Sequence, residues 1–318
     1  LWLYMLILSG SAFIGNISLW SYLRKIIQPI TQIELDYIKH FKPMLYIFIP
    51  QLVSVVFISL NKLFLGGLST FTQAGFFDNA DKLIRIILTL ITSLGTVIFP
   101  RISNSFKHNN LKAVNELTRL IFLVSGVFSF PIVVGFFFIS DTFSLLFFGS
   151  DFYGISSVIS ILAVGLIFMG WSSVIGNQYL ISINQPKGLT VSLLIAMLII
   201  IPISFCLVPI YGANGAAISA VVGELIILLV QMVYINKHIR ITYLLSDMYK
   251  IIFSTFIMGV GCFLIENIII DPIVEMIMQV AVGALIYVLC LSLVRISEID
   301  DIKRKLLVKF SLNRRGDE

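Results

Sequence analysis

Lys62, Lys82 and Arg85 are the three basic residues of this chain that do not fall into its obvious clusters of positive charge, and two acids, Asp78 and Asp81, stand among them. Asp78 precedes Lys82 by four residues and Asp81 precedes Arg85 by four, with the acid N-terminal in both pairs. On a helix this is the favourable order for side-chain ion pairs. One reading of the group is therefore mutual neutralisation at the start of a helix. The other is a cationic wall that accepts a phosphate: Arg85 through a bidentate fork, Lys62 as a compact point charge. For Lys62 the plainer alternative is an ammonium that snorkels to a membrane interface.

Glu224 lies alone in the middle of an apolar run. An intramembrane carboxylate is costly and normally faces a polar interior. Its helical neighbours on the same face, Ala217, Ala220, Leu228 and Gln231, are small, aliphatic or amide-bearing. Glu224 and Asp81 are thus candidates for ion coupling or gating, against a purely structural hydrogen-bonding role for Glu224. Asn61, Asn177 and Gln178 carry amides that suit sugar hydroxyls. Helix capping explains Asn177 and Gln178 equally well, and interfacial anchoring explains Tyr179. His40, His108 and His238 have no metal-ligand spacing, and no Ser-His-Asp set or paired carboxylates suggest an active site. The sequence has no GxxxxGK[ST] loop, so energy for transport would come from an ion gradient, membrane potential or substrate gradient. No cofactor or metal is expected. Cys206, Cys262 and Cys290 all fall in apolar runs and read as small buried residues.

The elements that carry these residues must cross a membrane. Of the 318 residues 58% are hydrophobic and 12% charged, with mean hydropathy +1.01. A soluble domain of this size would carry about 25% charged residues. Apolar runs of ~20 residues, enough to span a ~30 Å hydrocarbon core, recur along the chain. Runs such as Val191 to Val208 do not alternate apolar with polar, which excludes a transmembrane barrel. The expected fold is all-α, a polytopic bundle of about nine spans near 1–22, 44–66, 83–100, 118–139, 154–176, 189–208, 214–235, 250–266 and 273–294.

Charge orients these spans. The connections 67–79, 140–153, 209–213 and 267–272 contain no Lys or Arg, whereas 19 of the 22 basic residues flank or fill the alternate connections and the C-terminal tail. By the positive-inside rule the tail is cytoplasmic. The formal charge of +5 therefore reads as topology rather than nucleic-acid binding. The residues near Ile33–Phe41 are expected to lie on the membrane surface as a short amphipathic helix. Gly or Pro interrupts several spans: Pro50, Pro131 with Gly126 and Gly135, Gly165 with Gly170, Pro202, and Gly259 with Gly261. These serve close packing and static kinks, or the broken helices of a rocking transporter.

Two blocks of motifs carry a family resemblance. The first runs from Phe41-Lys42-Pro43 through Ile49-Pro50, Asn61-Lys62, Leu65-Gly66 and Ala74-Gly75-Phe76-Phe77-Asp78-Asn79-Ala80-Asp81-Lys82 to Phe99-Pro100-Arg101-Ile102-Ser103. The second runs from Asn177-Gln178-Tyr179-Leu180 through Asn184-Gln185-Pro186-Lys187 to Val208-Pro209-Ile210-Tyr211-Gly212-Ala213-Asn214-Gly215-Ala216-Ala217 and Glu224. In their order and spacing they resemble the polysaccharide-transporter branch of the multidrug/oligosaccharidyl-lipid/polysaccharide exporter superfamily. The Pro-x-Tyr-Gly-x-x-Gly-Ala-Ala hairpin is the most specific piece.

The resemblance implies two six-helix lobes facing a central cavity, with two further helices. On that map residues 1–43 are the last helix of the N-terminal lobe with a cytoplasmic linker, and 44–238 form the second lobe. Residues 239–318 are two additional helices and a basic tail. The first five helices are then expected to precede this chain. The implied activity is not enzymatic. It is alternating-access flipping of a polyprenyl-pyrophosphate-linked oligosaccharide across the bacterial cytoplasmic membrane for surface polysaccharide. Implied partners are that substrate, membrane lipids and the polysaccharide assembly machinery. Substrate contacts fall to Asn61, Lys62, Lys82, Arg85, Asn177 and Gln178. A cation-coupled multidrug exporter of the same superfamily is the alternative. A membrane glycan polymerase is disfavoured by the short outer connections.

Overall fold

The computed structural model describes residues 2–26, 37–152, 154–266 and 271–294. They are helical throughout apart from short turns, with no strand among them. The chain divides at residue 45 into two units. The first, Leu1–Leu45, holds α1 (Trp2–Ile26) and the start of α2 (Tyr37–Leu68). The second, Tyr46–Glu318, holds the rest of α2 and then α3 (Phe71–Lys107), α4 (Leu111–Phe148), α5 (Ile155–Ser173), α6 (Lys187–Ile235), α7 (Ile241–Leu245), α8 (Met248–Ile265) and α9 (Pro272–Val294). The first four residues of the expected surface helix at Ile33–Phe41 lie outside the described residues. Its last residues form the first turn of α2.

Seven helical stretches among the described residues are long and apolar enough to cross a membrane. One of them is double. In α6, 49 residues long, Gly212 breaks the helix with φ 55° and ψ −127°, the values of the first central residue of a type II′ turn. The two arms run antiparallel: a Cβ on Gly215 would meet the Leu207 carbonyl, one on Gly223 would meet Ile200, and Gln231 reaches Ser192. With both arms counted, the described residues offer eight such stretches toward the nine expected; α1 carries only the shorter apolar stretch Met5–Ser18. The chain is a multi-pass helical membrane protein.

The specific hairpin motif has a physical reading. Gly212 alone tolerates the positive φ, and its missing side chain admits Gln73, whose Oε1 accepts from the Ala213 N–H at 2.9 Å. Gly215 must lack a Cβ because that atom would sit 2.3 Å from the Leu207 oxygen. Ala213, Ala216 and Ala217 are then buried where the arms converge.

α5 is the centre of the second unit. It packs on α3, α4 and α6, and 67% of its apolar stretch is buried, against 17% for the peripheral α9. Small residues permit these crossings. A Cβ on Gly170 would lie 2.4 Å from Ser125 Oγ, and one on Gly176 would lie 2.7 Å from Gln231 Nε2. Helices α8 and α9 pair and dock on α4. Their seat is the Pro131 kink. Pro131 has no N–H for the Val127 carbonyl four residues earlier, and the Tyr287 hydroxyl donates to that oxygen instead, at 2.7 Å.

The cysteines depart from the sequence reading. Cys262 is buried, but Cys290 is only partly so and Cys206 is exposed, because lipid-facing positions are apolar without being enclosed.

Candidate functional site

Helix α3 begins at Thr70, whose side chain accepts from the Gln73 N–H, and the charged cluster follows within its first turns. Both i,i+4 pairs form as their spacing predicts: Lys82 to Asp78 at 2.6 Å and Arg85 to Asp81 at 2.9 Å. Lys62 on α2 does not turn outward. It bridges both acids, lying 2.6 Å from Asp78 and 3.5 Å from Asp81. The five side chains make one ladder, Lys82–Asp78–Lys62–Asp81–Arg85, of three cations and two anions. Its outer member Lys82 has a side chain 65% exposed, whereas that of Asp81 is 4% exposed. Arg85 ends the ladder on the inner side, roughly 21 Å along the helix from Phe71.

Arg85 looks into a cleft of about 150 Å³ between α2, α3, α5 and α6. Ser54, Phe57 and Ile58 line it from α2, and Leu88 from α3. Met169, Ser172 and Ser173 enter from α5, with Asn177 from the wider-pitched turn that extends it (Val174–Leu180). The first arm of α6 adds Leu189 and Leu193; the second adds Glu224, Ile227 and Gln231. The charges that act most on Glu224 are those of Arg85 and Asp81. No ion pair to its carboxylate is seen among the described residues. The small neighbours on its face are buried as expected, with Ala217 and Gln231 both at 0% exposure. The cleft is thus apolar-walled, and its lining includes one guanidinium, one carboxylate, two amide residues and three serines.

The structure brings together Arg85, Asn177 and Glu224, from three different helices. It does not bring the other proposed site residues into the cleft. Lys62, Asp81 and Lys82 stand behind Arg85 in the ladder. Asn61 is buried and accepts from Ser204 Oγ at 3.3 Å, tying α2 to the first arm of α6. Gln178 is buried on another side of its turn, where its amide occupies the space a Cβ on Gly95 would need. It is the next residue after Asn177 in the same wider turn. Ser54, Ser172 and Ser173 carry no charge and sit in apolar runs, so nothing in the sequence distinguished them from the many helix serines that bond back to their own carbonyls. Among the described residues no group of His, Cys, Asp and Glu is placed to hold a metal ion.

Residues 6–157 match a family model described as "Polysaccharide biosynthesis protein". Over 229 residues the chain is 24% identical to "Lipid II flippase MurJ" of Bacillus subtilis (strain 168), an overlap covering 66% of this chain and 41% of that protein. A solved structure titled "Lipid II flippase MurJ, inward closed conformation" superposes with a TM-score of 0.67 at 21% identity, over 86% of this chain and 58% of that one. The chain therefore spans about half the length of the relatives it matches, and it shares the fold of a helical transporter. These findings bear out the resemblance to the polysaccharide and lipid-linked exporters drawn from the motifs. The relatives they name are flippases, not enzymes.

Proposed function

From a fold shared with a lipid flippase and a cleft that sets Arg85 against Glu224, we propose that the protein flips a phosphate-bearing, lipid-linked oligosaccharide across the bacterial cytoplasmic membrane by alternating access, supplying surface polysaccharide synthesis. The observation that carries this reading is the guanidinium in an apolar-walled, intramembrane cleft with hydroxyl and amide groups around it. A phosphate must shed water to enter such a passage, and fixed positive charge offsets that cost. Asn177, Ser54 and Ser173 supply the neutral donors and acceptors that sugar hydroxyls require. Residues 44–238 form one wall of the translocation cavity and the helices of 239–294 flank it; the basic tail lies outside the described residues. Asn61 and Gln178 hold the wall in shape, and Lys62, Lys82 and Asp81 support Arg85 from behind.

Charge arithmetic assigns Glu224 its role. Lys62, Lys82 and Arg85 balance Asp78, Asp81 and an ionised Glu224, so an anionic head would enter a neutral site. Proton uptake by Glu224 leaves three cations against two anions, a net positive site that favours an anionic head. Binding then strengthens as pH falls, and loss of the proton favours release.

The test is transport of fluorescent lipid-linked oligosaccharide by the purified protein in liposomes, at several pH values. Arg85→Ala should cut the rate at least tenfold and Arg85→Lys less. Glu224→Gln should hold substrate at every pH and flatten the pH profile. Wild-type rates in Arg85→Ala would sink the reading. Export of hydrophobic cations in place of the glycolipid would point to a drug exporter.

A further inference from the structure

A second cavity, of about 540 Å³, opens at the basic end of the spans and plays no part in the cleft. It lies where α4 begins, α6 ends and α7 begins, which places it at the level of the membrane surface. Leu111, Lys112 and Glu116 line it from α4, His238 and Arg240 from the α6–α7 connection, and Tyr243 from α7.

The neighbouring cations are already engaged. Asp247 binds Arg119 and, at 2.7 Å, Lys250, and the Arg119 guanidinium stacks 4.6 Å from the Tyr243 ring. That cluster fixes one wall. Lys112 and Arg240 are left as available charge. Lys112 approaches Glu116 only to 4.0 Å, with side chains 89% and 57% exposed, a pair of little strength. Arg240 is exposed and makes no ion pair among the described residues. Tyr243 of the lining is exposed, as are Leu245, Tyr249 and Phe253 further along α7 and α8, the mixed aromatic and aliphatic surface of a membrane interface.

We infer that this cavity binds the headgroup of an acidic phospholipid, its phosphate between Lys112 and Arg240 and its acyl chains along the exposed apolar faces of α7 and α8. Basic pockets between spans on the positively charged side take such headgroups. A soluble phosphate would gain nothing from the aromatic and aliphatic rim. Glu116, the acid of the lining, opposes binding.

The experiment measures lipid retention by native mass spectrometry of the purified protein, and thermal unfolding in detergent. Phosphatidylglycerol is compared with phosphatidylcholine of the same chains. Phosphatidylglycerol should be retained preferentially and raise the unfolding temperature more. Each of Lys112→Gln and Arg240→Gln should weaken that preference about fivefold, and the Lys112→Arg/Arg240→Lys pair should preserve it. Glu116→Gln should tighten binding, which keeps the test decisive if the neutral variants fold poorly. The inference fails if wild type does not distinguish the headgroups, if Glu116→Gln leaves the preference unchanged, or if millimolar sodium phosphate displaces the lipid completely.

Discussion

Asp81 and Asp78 share the same ladder but not the same environment. The Asp81 side chain is 4% exposed and is held by both Arg85 and Lys62, whereas that of Asp78 is 34% exposed. Removing one partner of an enclosed pair strands the other, whereas an exposed pair contributes little. Asp81→Asn should therefore cost about 2–4 kcal/mol, discounted from a fully buried pair because Arg85 is partly exposed. Asp78→Asn should cost about 0–1 kcal/mol. Thermal unfolding of the purified variants in one detergent separates the two, and equal losses would show that the ladder is a surface feature. Lys62 illustrates how position along a span is not enough. A lysine near a membrane interface reads as snorkelling, yet two acids on the next helix draw it inward.

At the scale of elements, the kinks and turns are held by contacts from other helices. Tyr287→Phe should cost about 1–3 kcal/mol by leaving the Val127 carbonyl unsatisfied. In a Pro131→Ala background, where residue 131 regains an N–H for that carbonyl, the same change should cost less. A double-mutant cycle in thermal unfolding reads the difference, and additive losses would remove Tyr287 from the kink. The hairpin of α6 makes a second case. Gly215→Ala forces a Cβ against the backbone oxygen of Leu207, and Gly212→Ala imposes a side chain on φ 55°, so each should lower stability and expression. Gly135→Ala is the control: nothing lies within 4 Å of its Cβ, so it should be neutral or slightly stabilising. Loss at Gly135 equal to that at Gly215 would refute the close-approach account.

Across the whole molecule, the distribution of charge predicts an orientation. In a cysteine-free background, Asn109→Cys between α3 and α4 should react with a membrane-impermeant maleimide only after the cells are opened. Ser150→Cys beyond the end of α4 should react on intact cells. The reverse pattern would invert the protein and, with it, the side from which Arg85 and Glu224 are reached.

The all-helical nature of the spans and their alternating flanks of charge were determined by the sequence, because crossing a hydrocarbon layer demands long apolar runs whatever the packing. The pairing of Asp78 with Lys82 and of Asp81 with Arg85 was legible too, since four-residue spacing fixes helical neighbours. The hairpin motif was visible as a pattern, but its reason was not: Gln73 and the Leu207 carbonyl occupy the space that side chains on Gly212 and Gly215 would fill. Only the tertiary structure decided that Asn177 joins Arg85 and Glu224 while Gln178, one residue later, packs against Gly95. Nearly every face of a membrane helix is apolar, so hydrophobicity does not reveal which side meets protein and which meets lipid. That choice depends on which helix lies alongside, and for these residues it depended on α5 being surrounded by α3, α4 and α6.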